Sequence, residues 1–333
     1  MDRDIEAKST CGQIPESFPE LLVLDGALST RLESTLGSAA LSTPLWSAPL
    51  PTSHPDLIRS IHLEAYLAGA NVVTTASYQA SPIGLAKHQG LSPEESASLI
   101  AKSAELAKSA REDAQTHLTA AGIPAPVLLV AGSVGPYGAY LANGAEYRGD
   151  YELPWPEFMD FHRPRIAALL DSGVDLLALE TFPNWDEATA VLGLLETEFP
   201  MARCWLSFTT RPGHPEMIAD GTCWDQILPP IERNEQIIAV GVNCIPPEEV
   251  GSALKSIVPN TSKNVFVYPN SGEAWDAESR HWIENDAATL DTWGRNVREW
   301  VALGASGIGG CCRTTSNHIR TIRKVANKAE RKN

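Results

Sequence analysis

Residues 174–181 read VDLLALET, a nearly unbroken apolar run that stops at Glu180-Thr181 and is followed by Asn184 and Glu187, the opening of a helix. A strand that is apolar on both faces has to be covered on both, as in a parallel sheet wrapped by helices. An Asn with Glu three residues on is a helix-start signature. Strand, polar end and helix together make one β-α unit.

The same unit recurs along the chain. Apolar runs rich in β-branched residues lie at Leu21–Leu24, Asn71–Thr75, Val127–Ala131, Val174–Leu179, Cys204–Phe208, Ile237–Val242, Asn264–Tyr268 and Ser306–Gly309, eight in all. Strands that alternate hydrophobic and polar residues are not expected. Helices with readable ends lie between the runs. One opens at Pro55-Asp56, carries Ile58, Ile61, Ala65 and Ala68 on one face and closes near Gly69. Another starts at the capping-box-like Ser92-Pro93-Glu94-Glu95. Trp293, Val297, Trp300 and Val301 share a face, and Ile319, Ile322 and Val325 form the last stripe.

Eightfold β/α alternation is met most simply by a closed (β/α)8 TIM barrel, because doubly wound open sheets more often stop at five or six strands. At about 150 residues per domain, 333 residues could make two domains, but an α/β barrel uses that length as one. The Pro/Gly-rich stretches Leu36–His54, Pro136–Trp155 and Asn270–Asn285 each follow a strand and precede a helix, so they read as long βα loops. Residues 1–333 are therefore expected to form a single domain, with 1–18 as a flexible N-terminal tail.

Charge narrows the partners. Lys+Arg 26 against Asp+Glu 41 leaves −15, which repels nucleic-acid phosphates and anionic lipid. The basic run Arg320–Lys332 reads as a solvated helix face. Met1–Gln13 has no apolar core of a signal sequence, and no apolar run approaches the ~20 residues of a membrane span. Six cysteines are too sparse for a disulfide framework, which suits a reducing compartment, the cytoplasm. Neither nucleic acid nor a membrane is an expected partner.

In a barrel, chemistry collects at the C-terminal ends of the strands. There stand Asp25-Gly26, Thr74-Thr75, Gly132-Ser133, Glu180-Thr181, Asn243-Cys244 and, after the last strand, Gly309-Gly310-Cys311-Cys312-Arg313. Cys244 alone would pass as an ordinary buried thiol. The adjacent Cys311 and Cys312 would not, and two strands of one rim can bring all three to a single ion. Three thiolates leave the fourth tetrahedral position of Zn2+ open, the arrangement of a catalytic site, and they make a soft, electron-rich ion suited to alkylating another thiol. Asp25 and Glu180 would hold the ammonium of an amino acid, or else they are helix-start charges. Thr75, Ser133 and the backbone amides at Gly26 could take its carboxylate. Cys11, Cys204, Cys223 and the histidines read as structural.

Two other readings stand beside this one. Gly304, Gly307 and Gly309 before the last helix could cradle a phosphate, which leaves the paired cysteines unexplained. Cys311-Cys312 could instead be a vicinal redox or zinc-responsive switch in a non-catalytic protein.

Leu24-Asp25-Gly26-Ala27-Leu28-Ser29-Thr30, Thr74–Ser81, Gly132-Ser133-Val134-Gly135-Pro136, Leu179-Glu180-Thr181, Gly241-Val242-Asn243-Cys244, Tyr268-Pro269-Asn270-Ser271-Gly272 and Gly309–Thr314 together resemble, in order, the motifs of the zinc-dependent homocysteine S-methyltransferases. The resemblance spans nearly the whole chain. It implies a (β/α)8 barrel with zinc on Cys244, Cys311 and Cys312 and homocysteine thiolate at the open position. Asp25 and Glu180 would hold the amino group of homocysteine, Thr75 and the Gly26 backbone would help place it, and Asn243 would support the neighbouring ligand. The methyl group would come from a sulfonium or ammonium donor and yield methionine. The betaine-using branch carries a C-terminal extension for oligomerisation, absent beyond Cys312 here. Tyr78–Ser81 and Tyr268–Glu273 are more similar to the branch using S-methylmethionine or S-adenosylmethionine. The loops 137–151 and 274–285 match least and would face the donor. Oligomeric state is left open.

Overall fold

The computed structural model describes residues 18–124, 126–276, 281–283 and 289–330. Its eight parallel strands are β1 (Leu22–Val23), β2 (Val72–Thr74), β3 (Leu129–Val134), β4 (Leu176–Phe182), β5 (Cys204–Phe208), β6 (Ile237–Asn243), β7 (Asn264–Tyr268) and β8 (Gly307–Ile308). Neighbours in sequence are neighbours in space, and β8 returns to pair with β1 through Leu22–Gly307 and Val23–Ile308. A parallel bridge between Leu24 and Val72 joins β1 to β2 and closes the ring. The expected (β/α)8 barrel is the one observed.

Each strand is followed by a helix of the outer ring: α1 (Pro55–Ala68), α2 (Pro93–Ala120), α3 (Trp155–Asp171), α4 (Trp185–Glu198), α5 (Trp224–Arg233), α6 (Pro247–Ile257), α7 (Leu290–Ala302) and α8 (Ser316–Glu330). The sequence signals act as expected. Gly69 caps α1 at φ 112°, Ser92 and Glu95 exchange both capping-box bonds at α2, and the Asn184 side chain accepts from Glu187 N–H at 2.9 Å. Among the described residues no helix is long and apolar enough to cross a membrane.

Side chains alternate between two cores. Leu176, Ala178, Trp205, Ala239, Phe266 and Tyr268 point into the barrel, where small alanines make room for the large rings. Leu177, Leu179, Leu206, Phe208, Val240 and Val242 point outward beneath the helices. Phe18, expected to end the tail, packs against the inner cluster; residues 1–17 lie outside the described ones.

Three expectations need correction. An alternating strand does exist: Thr210–Arg211 pairs with His214–Ile218, whose side chains alternate between exposed and less exposed positions; a second antiparallel pair joins Ala274–Asp276 to His281–Ile283. Both pairs lie within βα loops, and His214–Ile218 is free of the two-sided burial of the barrel. Secondly, Val174 and Asp175 precede β4 rather than belong to it. The Asp175 carboxylate accepts from Val130 N–H at 2.7 Å and from Arg111 at 2.7 Å, a polar clamp at the base of the strand. Finally, the basic run is not wholly solvated, since Arg323 donates to Gly69 O at 2.7–2.9 Å and to Asn71 Oδ1, tying α8 to the end of α1.

Candidate active site

A cavity of about 520 Å3 opens at the C-terminal ends of the strands, within the usual ~300–1,000 Å3 of small-molecule sites. All nine residues singled out from the sequence line it: Asp25, Gly26, Thr75, Ser133, Glu180, Asn243, Cys244, Cys311 and Cys312. Its described lining also carries Glu146 and contains no Lys, Arg or His.

The cysteines are set by backbone as much as by side chain. Cys244 leaves β6 at φ 55°, a left-handed conformation costly for a residue with a Cβ, while its N–H donates to Tyr268 O at 3.2 Å. Cys311 N–H donates to Pro269 O at 2.7 Å, and Ser271 N–H to Cys312 O at 3.0 Å. Gly309 lets this turn lie against β1, because a Cβ there would stand 2.6 Å from Leu24 Cβ and 2.8 Å from Asp25 O. The three Sγ atoms lie within 4.8 Å of one another, with Cys244 and Cys312 3.6 Å apart. Sulfurs about 2.3 Å from a tetrahedral ion stand about 3.8 Å apart, whereas a disulfide needs about 2.05 Å. The spacing therefore fits a shared ion, and the described cysteines form no disulfide. Hydrogen bonds from Cys244 and Cys311 pull the Cys312 thiol well below its ordinary value. One thiolate held by two thiols is a cluster whose remaining protons a cation would replace.

Two carboxylates face the cluster's neighbourhood. Asp25 accepts from Thr74 N–H at 2.9 Å, and Glu180 accepts from the Ser133 hydroxyl. Burial pushes Asp25 up to about 8, with repulsion from Glu180 adding to it, and pushes Glu180 up to about 7. Neither carboxylate is answered by a cationic side chain in the described lining.

Three of the expected substrate contacts have side chains already engaged in the wall. Thr75 Oγ1 accepts from Ser133 N–H at 2.9 Å and pairs with Ser77 Oγ at 2.7 Å; Ser133 Oγ serves Glu180. Asn243 Oδ1 accepts from Thr181 N–H and from Ser207 Oγ, both at 2.8 Å, while its Nδ2 donates to Thr181 Oγ1 at 2.7 Å. These bonds hold Thr181 at φ 64°, a strained geometry for a β-branched residue immediately after Glu180. Sequence reasoning missed Tyr147, whose hydroxyl stands 3.4 Å from Cys244 Sγ. It sits on a 3-10 turn, Ala145–Tyr147, inside a loop with no strand or helix period to betray it.

The phosphate-cradle reading loses its space. A Cβ on Gly307 would lie 2.3 Å from the Phe266 ring, and one on Gly304 2.8 Å from Val258, so these glycines admit neighbouring packing rather than a ligand.

A family model described as homocysteine S-methyltransferase matches residues 22–326. The chain belongs to the homocysteine S-methyltransferase family. It is 46% identical over 306 residues to the homocysteine S-methyltransferase of Escherichia coli strain K12, covering 91% of this chain and 94% of that one. It is 41% identical over 309 residues to the homocysteine S-methyltransferase YbgG of Bacillus subtilis strain 168, covering 93% and 95%. Among solved structures, the metallated form of the homocysteine methyltransferase MmuM from Escherichia coli superposes with a TM-score of 0.81 at 44% identity, covering 92% of this chain and 96% of that one. This homocysteine S-methyltransferase is thus an enzyme of methyl transfer to homocysteine, a reaction that forms methionine.

Proposed function

We propose that the enzyme moves a methyl group from a sulfonium amino acid, S-methylmethionine ahead of S-adenosylmethionine, to homocysteine held at zinc by Cys244, Cys311 and Cys312. The observation that carries this reading is the trio of thiols within 4.8 Å, opening onto a cavity with two buried, uncompensated carboxylates. Zinc, when bound, supplies an open fourth position that favours the thiolate of an incoming thiol. Asp25 and Glu180 receive the homocysteine ammonium, whose charge relieves the burial that raises both carboxyls. Ser133 orients Glu180, Thr75 holds Ser133, and Asn243 fixes the Glu180-Thr181 turn, so these three position the site. Gly26 lines the cavity beside Asp25 and leaves backbone within reach of the substrate carboxylate.

The transfer needs no proton. The sulfonium S–CH3 bond breaks with its electron pair remaining on the donor sulfur, which becomes a neutral thioether, while a thiolate lone pair makes the new S–CH3 bond. Charge on both partners disappears, and a cavity that shuts water away assists a reaction of that type. Thiols kept reduced suit a cytoplasmic setting.

The experiment supplies homocysteine with S-methylmethionine, S-adenosylmethionine or betaine in turn and measures methionine with and without chelator. Methionine is expected from the sulfonium donors, fastest with S-methylmethionine, and chelation abolishes it. The Cys311→Ser variant is expected to lose zinc and turnover while its circular dichroism stays native. Full activity in that variant would reject the metal reading.

A further inference from the structure

Glu146 is the one acid of the described cavity lining left without a role by the reading above. It belongs to the turn Ala145–Tyr147, which is pinned by Ala145 N–H to Asn143 Oδ1 at 3.0 Å and by Gly149 N–H to Ala145 O at 2.8 Å. Its Oε2 is shut away from solvent and has no hydrogen-bond partner among the described residues. Arg148, the nearby cation, attracts Glu146 through space but spends its hydrogen bonds on Asp150 at 2.8 Å and Asn143 O at 3.1 Å. The next residue of the turn, Tyr147, stands 3.4 Å from Cys244 Sγ through its hydroxyl, so the turn that carries Glu146 borders the cysteines. Asp25 and Glu180 rise instead from β1 and β4.

A buried carboxylate oxygen with no donor is destabilising, and such atoms in native structures call for an explanation. A cationic ligand supplies one. The homocysteine ammonium already has two carboxylates, so the second cation to enter this cavity is the donor.

Resting on the function proposed above, we propose that Glu146 is the residue that selects a positively charged methyl donor, its carboxylate attracting the sulfonium centre in the ground state. The charge it recognises vanishes as the methyl group leaves. Its attraction is consequently stronger before the transition state than in it, and belongs to donor binding more than to the chemical step. It also disfavours uncharged donor sulfurs and product: the thioether sulfur of methionine brings no sulfonium charge to this carboxylate, so it gains nothing there and leaves.

The test uses the zinc-loaded full-length enzyme and the variants Glu146→Gln and Glu146→Asp. In Glu146→Gln the KM for S-methylmethionine is expected to rise at least about tenfold, with kcat falling less and the homocysteine KM and zinc content unchanged. Glu146→Asp should recover part of the loss. Titration calorimetry with S-methylmethionine alone should show the same weakening without turnover. An unchanged donor KM in an active Glu146→Gln enzyme, or an equal rise in the homocysteine KM, would overturn the proposal and leave the function intact. A wild-type enzyme that makes no methionine from any sulfonium donor would overturn both.

Discussion

Asn243 illustrates how single residues prepare this site. Each of its amide groups is spoken for by Thr181 or Ser207, and Ser207 in turn meets the Tyr268 hydroxyl, which accepts from Trp205 Nε1 at 2.9 Å. The cavity floor is one hydrogen-bonded network, so the strained Thr181 has little freedom to relax. Asp25 gives the clearest pH signature at this scale. Its folded-state pKa, about 8, lies above the unfolded value, so ionisation is resisted in the fold. Below about pH 4 the carboxyl is neutral in both states, and stability is lost progressively as pH rises from there through about 8. The Asp25→Asn variant, neutral throughout, is expected to unfold at higher urea than ligand-free wild type at pH 8, the gap shrinking toward pH 5. Homocysteine should narrow the gap at pH 8, because its ammonium stabilises the ionised form. A gap independent of pH would contradict the assignment. Asp25, Glu180 and the cysteines were legible in the sequence because strand ends are where a barrel puts its chemistry. Glu146 and Tyr147 were not, because a 3-10 turn leaves no periodic trace.

Among the elements, α3 and α4 do more than cover the barrel. Arg165 on α3 donates to Tyr78 O at 2.7 Å, to Gly135 O at 2.6 Å and to His162 Nδ1 at 3.1 Å; His162 Nε2–H then donates to Glu187 on α4 at 2.7 Å. Burial holds the His162 ring below its ordinary pKa, which matches a neutral imidazole relaying between guanidinium and carboxylate. Glu187 also accepts from Tyr137 N–H at 2.5 Å and from the Tyr151 hydroxyl, the two ends of the loop that carries Glu146 and Tyr147. Two helices thereby fix the wall opposite β1. Removing the carboxylate in Glu187→Ala leaves a buried cation uncompensated and should cost about 3–5 kcal/mol, read as a lowered urea midpoint. The same change should raise the donor KM more than the homocysteine KM if the loop it frees faces the donor, as proposed. From sequence, Glu187 reads only as the third residue of a helix start; its burial depends on partners 25 to 50 residues away and leaves no local pattern.

For the molecule as a whole, the barrel was readable because eight doubly buried strands force nearly continuous apolar runs, and such runs survive in any order of loops. The hairpin at Thr210–Ile218 was hidden because it lies outside that constraint. Zinc should act on the whole fold, since its proposed ligands come from the ends of β6 and β8 and β8 is the strand that meets β1. At a hundredfold excess over its dissociation constant, zinc should add about 2.7 kcal/mol to wild-type stability, visible as a raised urea midpoint, and next to nothing to Cys311→Ser. The closure between β8 and β1 also sets a timetable. Gly310 N–H is bonded to Asp25 O at 3.0 Å, so the pair of cysteines reaches its place only when the last β-α unit docks on the first. A ribosome emits Cys244 well before Cys311 and Cys312, so the growing chain offers one of the three proposed ligands until its last β-α unit emerges. If the three cysteines hold the proposed zinc, its capture waits for the first and last β-α units to meet, and a loaded centre would mark a closed barrel.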